Sequence, residues 1–232
     1  MAASFRFKQF EVFNERSALK VGTDGVLLGA WAAAGCSPAR ILDVGTGTGV
    51  IALMMAQRFT QSTVTGIDID CDSVEEAAAN FASSPWPDRL EACLKAVQDW
   101  QEETDLIVSN PPFFINSLKA PDNRRSVARH TDTLQYRDLI AVAKRCLTAD
   151  GRLAVIYSSS EAEVFAGEAL SAGLFPVRIC HVRTKDGKAP KRFLMELSYK
   201  RKEPFIEELS IQRGDEFSEE YRSLTRDFYL KF

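Results

Sequence analysis

Apolar residues along this chain fall in short runs that alternate with stretches of helical spacing. RILDV (40–44) is a run of strand length, and Gly47 to Arg58 follows it as a helix. STVTGIDID (62–70) predicts the next strand, and CDSVEEAAANF the helix after it. LEACLKAV (90–97) and DLIVSN (105–110) predict two further strands. Residues 134–147 place apolar positions at helical spacing, GRLAVIYS (151–158) reads as a strand, and EAEVFAGEALSAG as a helix stopped at Gly173. Alternation of this kind predicts a mostly parallel sheet covered by helices on both faces.

The rhythm then changes. FPVRICHVR and KRFLMELSYK flank the turn-rich TKDGKAP and predict an antiparallel hairpin, so the α/β sheet is expected to be seven-stranded. Before the first parallel strand, SFRFKQFEVF alternates like a strand, and Thr23 or Asp24 is placed to cap a short helix through Ala33. Near the other end a helix is expected from about Ser218, with Tyr221, Leu224 and Phe228 on one face. The organisation expected is one domain: an N-terminal extension (1–35), a core (36–202) and a tail with a helix (203–232).

Composition narrows the class. With 232 residues, 45% hydrophobic and 26% charged, the chain can bury the core of one globular domain. No window approaches the roughly 18 apolar residues of a membrane span, and MAASFRFKQFEVF lacks the pattern of a secretory leader. A cytoplasmic protein, without a membrane partner and monomeric, is expected. Cys36, Cys71, Cys93, Cys146 and Cys180 are dispersed, and His130 and His181 are the only histidines. That scatter fits reduced thiols and predicts no metal site. The net charge of −3 does not announce a nucleic-acid binder, so any phosphate contact must come from a local basic face.

The sharpest motif is Asp43-Val-Gly45-Thr46-Gly47-Thr-Gly49, placed directly after a strand and opening a helix. Val50 stands where the dinucleotide fingerprint requires its third glycine, so that pattern fails. The D-x-G-x-G-x-G that remains resembles motif I of the S-adenosylmethionine-dependent methyltransferases, whose Rossmann-like fold also ends in an antiparallel hairpin. Asp68, with Ile69 beside it, ends the next strand, where a carboxylate can accept from two ribose hydroxyls. Asp99 and Trp100 follow the third strand, and in such a fold an acid there accepts from the adenine amino group. Taken singly, each feature also reads as a structural turn or a capping carboxylate. Three acids at the ends of successive strands favour the cofactor, S-adenosyl-L-methionine.

Asn110-Pro111-Pro112-Phe113 follows the fourth strand. It resembles motif IV of enzymes that methylate an amino group conjugated to a planar system. Such a nitrogen has its lone pair delocalised and is a poor nucleophile. Two acceptors on its N–H bonds, the Asn110 side-chain oxygen and the Pro111 carbonyl, would stabilise the charge that develops on it. Paired prolines restrict the backbone and remove competing donors. Phe113 would stack on a flipped base. A rigid strand-ending turn with a buried Phe is the alternative.

FKQFEV (7–12), KVGTDGVLLGAW (20–31) and the DFYLKF ending resemble the bacterial tRNA1(Val) adenine-37 N6-methyltransferases across essentially the whole chain. The resemblance implies N6-methyladenosine formation in tRNA. By similarity to motif X of adenine-N6 enzymes it also implies contact of Thr23 with the cofactor carboxylate. Local positive charge agrees: Lys119, Arg124, Arg125 and Arg129 follow NPPF beside His130. The hairpin adds Arg178, Arg183, Lys185, Lys188, Lys191 and Arg192, and the N-terminus Arg6 and Lys8. Each cluster also reads as a solvated face. Guanine N2-methylation of ribosomal RNA, N5-methylation of a protein glutamine, and a non-catalytic RNA-binding module remain open alternatives.

Overall fold

The computed structural model describes residues 4–17, 20–111 and 134–231. An antiparallel pair, β1 (Ser4–Arg6) and β2 (Glu11–Phe13), and helix α1 (Thr23–Trp31) precede the sheet. The sheet comprises β3 (Arg40–Val44), β4 (Thr63–Asp68), β5 (Leu90–Leu94), β6 (Thr104–Ser109), β7 (Leu147–Ser158), β8 (Phe175–Lys185), β9 (Arg192–Ser198), β10 (Phe205–Arg213) and β11 (Glu216–Phe217). Its order is β11-β10-β8-β9-β7-β6-β3-β4-β5. The remaining helices among the described residues are α2 (Val50–Arg58), α3 (Cys71–Ala82), α4 (Tyr136–Cys146), α5 (Ser159–Ser171) and α6 (Glu219–Thr225).

Strands β3 to β7 run parallel to one another, and β9 enters antiparallel between β7 and β8. The apolar runs follow from burial on both faces. Leu106 and Val108 of β6 join a core with α1, α2 and α3, while Ile107 between them joins a second core with α4 and α5. Helix α2 is buried from Val50 to Ala56 because it lies between the sheet and α1. Helices α4 and α5 start at capping boxes, Gln135 with Asp138 and Ser158 with Glu161.

Four expectations change. SFRFKQFEVF is not one strand: it turns at residues 7–10, with Phe7 N–H donating to Phe10 C=O at 2.8 Å. The turn stacks Phe7 on Phe10 at 4.6 Å and brings Phe7 to Tyr229 at 6.1 Å, so three rings share one buried cluster. Neither Thr23 nor Asp24 caps α1; Gly22 holds the N-cap position with no side-chain hydrogen bond. Helix α2 begins at Val50 rather than Gly47, because left-handed backbone at Gly45, Gly47 and Gly49 cannot be helical.

The tail, finally, carries more than a helix. Residues 205–217 extend the seven expected strands to nine, with β10 parallel to β8. Its acids reach diagonally to bases of β8: Arg178 pairs with Glu207 at 2.6 Å, and Arg183 pairs with Glu208. Helix α6 is capped by Ser218, whose hydroxyl accepts from Tyr221 N–H at 3.0 Å. It ends before Phe228, whose carbonyl accepts from Lys8 N–H at 2.8 Å and ties tail to N-terminus.

Candidate active site

The carboxyl ends of β5, β4, β3 and β6 lie side by side, and each carries part of the site. After β3 the chain turns into α2 through the glycine loop. Gly45 and Thr46 donate their N–H groups to Ile67 C=O at 2.9 and 3.0 Å, and Gly49 N–H closes onto Thr46 C=O at 2.8 Å. Two glycines here are required for different reasons. At Gly45 (φ 70°) a Cβ would meet nothing within 4 Å, so only the left-handed backbone demands glycine. At Gly49 (φ 78°) a Cβ would also collide with the Phe81 ring of α3.

Asp43 lies beneath this loop, fully buried. Its Oδ2 accepts from the Thr46 hydroxyl at 2.8 Å and from Ala52 N–H at 3.2 Å, while Oδ1 has no partner. Asp43 therefore braces the loop from below. Burial pushes its carboxyl from 3.8 up to about 7, opposed by those two hydrogen bonds. The folded state holds this proton more tightly than the unfolded chain does. Its contribution to stability is thus complete below about pH 4 and is lost as pH rises through about 7, on the order of 4 kcal/mol in all. Asp43→Asn keeps an acceptor for Thr46 and Ala52 without the charge. We expect thermal melts to show the variant gaining on the unaltered protein as pH rises from about 4 to about 7; a constant difference would contradict the burial argument.

Asp68 ends β4 with its carboxylate half-buried at the surface. Its Oδ2 accepts from Gly47 N–H at 3.0 Å and its Oδ1 from Asp70 N–H at 3.1 Å, which leaves each oxygen further acceptor capacity. Beside it stand two exposed apolar side chains, Ile69 (55%) and Leu94 (58%), the latter opposite Asp68 in the β4–β5 register. Leu94 carries only a weak signal along the chain, an apolar residue at the last position of a strand. Asp99 is exposed at the end of a short 3-10 turn. Trp100 is buried in the second core, with Nε1 donating to Glu102 C=O at 3.0 Å and to Thr104 Oγ1 at 3.3 Å, so it supports the site from inside. A carboxylate with spare acceptors, an apolar pair and a glycine turn fit a ligand that has vicinal hydroxyls and a flat ring.

Asn110 follows β6, half-buried, with Pro111 buried after it. A Cβ built on Gly25 of α1 would lie 3.9 Å from Asn110 Nδ2, so the first turn of α1 borders this side chain. Thr23, exposed, begins that turn. Pro112, Phe113, Lys119, Arg124, Arg125 and Arg129 lie outside the described residues.

The turn between β8 and β9 reaches the same end of the sheet, since Arg192 at the start of β9 pairs with Ser158 at the end of β7. Most of its cations are already engaged. Arg192 holds Asp24 of α1 at 2.9 Å, Lys185 meets Asp215 at 3.2 Å, and Arg183 is paired with Glu208. Arg178 is not a surface cation: it lies 4.1 Å over the Trp31 ring and contacts the fully buried Glu196 at 3.5 Å. Lys188 and Lys191 make no ion pair among the described residues.

The five cysteines are free thiols in separate places, and no group of three or more metal-ligating side chains occurs among the described residues. Nor is any described helix long and apolar enough to cross a membrane.

The parallel strand order, the glycine turn after β3 and Asp68 at the end of the adjacent β4, with Asn110 following β6, place this protein among the S-adenosylmethionine-dependent methyltransferases. Comparison with known proteins agrees. Residues 11–165 match the methyltransferase small domain family. A protein of Phocaeicola vulgatus named tRNA1(Val) (adenine(37)-N6)-methyltransferase is 46% identical over 229 residues, covering 97% of each chain. One of the same name from Parabacteroides distasonis is 44% identical, covering 98% of each. The fold is similar to that of a predicted O-methyltransferase from Agrobacterium tumefaciens (TM-score 0.66, 19% identity, 88% of this chain and 96% of that one). It is also similar to a glycopeptide N-methyltransferase solved with S-adenosyl-L-homocysteine (TM-score 0.57, 13% identity, 78% and 92%). The chain belongs to the methyltransferase small domain family, in the company of the tRNA1(Val) (adenine(37)-N6)-methyltransferases.

Proposed function

We propose that this protein methylates the exocyclic N6 of an adenine in tRNA, adenine 37 of tRNA1(Val), using S-adenosylmethionine. The observation that carries this reading is that the match to the relatives spans 97% of both chains. It therefore includes the N-terminal and C-terminal segments outside the shared methyltransferase fold. The bound cofactor supplies an electrophilic methyl group on a sulfonium.

The chain's own residues hold and orient the reactants. Asp68 accepts from the cofactor's ribose hydroxyls, Ile69 and Leu94 flank its adenine, Asp99 accepts from the adenine amino group, and Thr23 meets its carboxylate. Gly45 and Gly47 let the backbone run close to it. Asn110 Oδ1 and the Pro111 carbonyl accept the two N–H bonds of the target amine, drawing its lone pair out of the ring and stabilising the positive charge that grows on nitrogen. Phe113, outside the described residues, would stack on the flipped adenine. Pairing of Arg192 with Asp24 ties the β8–β9 turn to the start of α1. Lys188 and Lys191 on that turn, with the basic segment 119–129, would contact tRNA phosphates, and binding would weaken as salt rises. The enzyme would work in the cytosol, with its tRNA.

Incubation with methyl-labelled S-adenosylmethionine and separated tRNA, ribosomal RNA, DNA and protein, followed by nucleoside mass spectrometry, tests the proposal. Label is expected in N6-methyladenosine from tRNA. N2-methylguanosine in ribosomal RNA, or label confined to protein, would replace this reading with the corresponding alternative.

A further inference from the structure

Beyond its first turn, helix α3 carries two buried polar side chains that serve neither its caps nor the sheet. Glu76 is 5% exposed and Asn80 fully buried. Both are spent on the N-terminal segment. Glu76 Oε1 accepts from the backbone N–H groups of Glu15 at 2.5 Å and Arg16 at 2.9 Å, and its Oε2 accepts from that of Ser17 at 2.9 Å. Asn80 Oδ1 accepts from Phe13 N–H, and its amide donates to the carbonyls of Phe13 and Thr48, each at 2.9 Å. One side chain thus joins the N-terminal segment to the glycine loop.

Further contacts close the strap. Ser73 Oγ donates to Ser17 Oγ at 3.3 Å, and the Lys20 ammonium turns back onto the carbonyls of Asn14 and Glu15. Ser17 Oγ lies 3.4 Å from where a Cβ of Gly47 would stand, so the segment rests on the loop residue whose N–H Asp68 holds. A few residues on, Thr23 opens α1, whose Gly25 borders Asn110.

We infer that Glu76 and Asn80 are positioning residues: they clamp residues 13–17 against the glycine loop and so set the affinity for the methyl donor. The inference rests on this site being where the donor binds. Three successive N–H groups converge on one carboxylate, a charge-assisted arrangement that a neutral amide cannot reproduce. Where the clamp is loosened, the donor meets a competent wall for only a fraction of the time, and its apparent affinity falls by that fraction.

The test is Glu76→Gln, which preserves size but turns an NH2 group toward backbone donors. Calorimetric titration with S-adenosylmethionine is expected to show a Kd raised about tenfold. KM for the donor should rise in parallel, while kcat at saturating donor stays within about twofold, because no reacting group is touched. Protease cleavage within residues 13–22 should accelerate, and Glu76→Asp, which restores the charge, should recover part of the affinity. An unchanged Kd, or a fall in melting temperature and kcat with KM unmoved, overturns the inference and leaves Glu76 a merely structural residue. Should Glu76→Gln fail to fold, Asn80→Ser carries the same measurement. The titration needs no RNA, so failure to methylate tRNA would count against the proposed substrate and not against the clamp.

Discussion

Replacing Asn110 with alanine is expected to slow methyl transfer at least about a hundredfold while leaving donor affinity within a few-fold of its starting value. In the proposed mechanism the amide oxygen is one of two acceptors for the target amine, with a hydrogen bond that would strengthen as the nitrogen gains positive charge. Removing it therefore raises the barrier more than it weakens binding. Asn110 is half-buried and lies at a strand end, so truncation should cost little stability. Single-turnover rates with tRNA at saturating donor, set beside calorimetric donor titration, separate the two effects. Joint loss of rate and donor binding would make Asn110 a cofactor ligand or a structural residue.

The second large effect is at Asp68. Its carboxylate holds Gly47 N–H and Asp70 N–H while keeping further acceptor capacity, which the proposed function assigns to the ribose, so one substitution would loosen the loop and remove that ligand. Hydrogen bonds to a charged group are each worth about 1.5–3 kcal/mol, so loss of two predicts a Kd for the donor raised roughly 10²- to 10⁴-fold in Asp68→Ala. Asp68→Asn retains an acceptor and should lie between. Calorimetry ranks the three proteins; a Kd for the alanine variant within about threefold of the unaltered chain would remove Asp68 from the cofactor site.

Which parts of the site were legible depended on how local their signals were. The glycine turn, Asp68 and Asn110 declare themselves in a few consecutive residues, because a strand-to-helix turn needs glycine and a strand end needs no partner to present its side chain. Asp43 belongs to the same motif, yet its placement beneath the loop comes from the packing of α2 and Thr46 over it. Trp100 sits next to a site acid in sequence but turns into the second core. Arg178, Arg183 and Arg192 count equally as positive charge along the chain. Only the β8–β10 pairing and the approach of α1 reveal that each already has an acid. Glu76 and Asn80 carry no signal at all along the chain, since their partners are backbone groups 32 to 67 residues away.

Periodicity, glycine turns and strand-terminal acids act over a few residues, so the order of the core strands and helices, the β8–β9 hairpin and the chemistry offered at each strand end are legible along the chain. Long-range packing is what makes the tail supply two more strands, engages particular arginines in internal pairs and fastens the N-terminal segment to the glycine loop. Those outcomes depend on which distant segments meet, and hydrogen bonds and ion pairs between them leave no periodic trace along the chain.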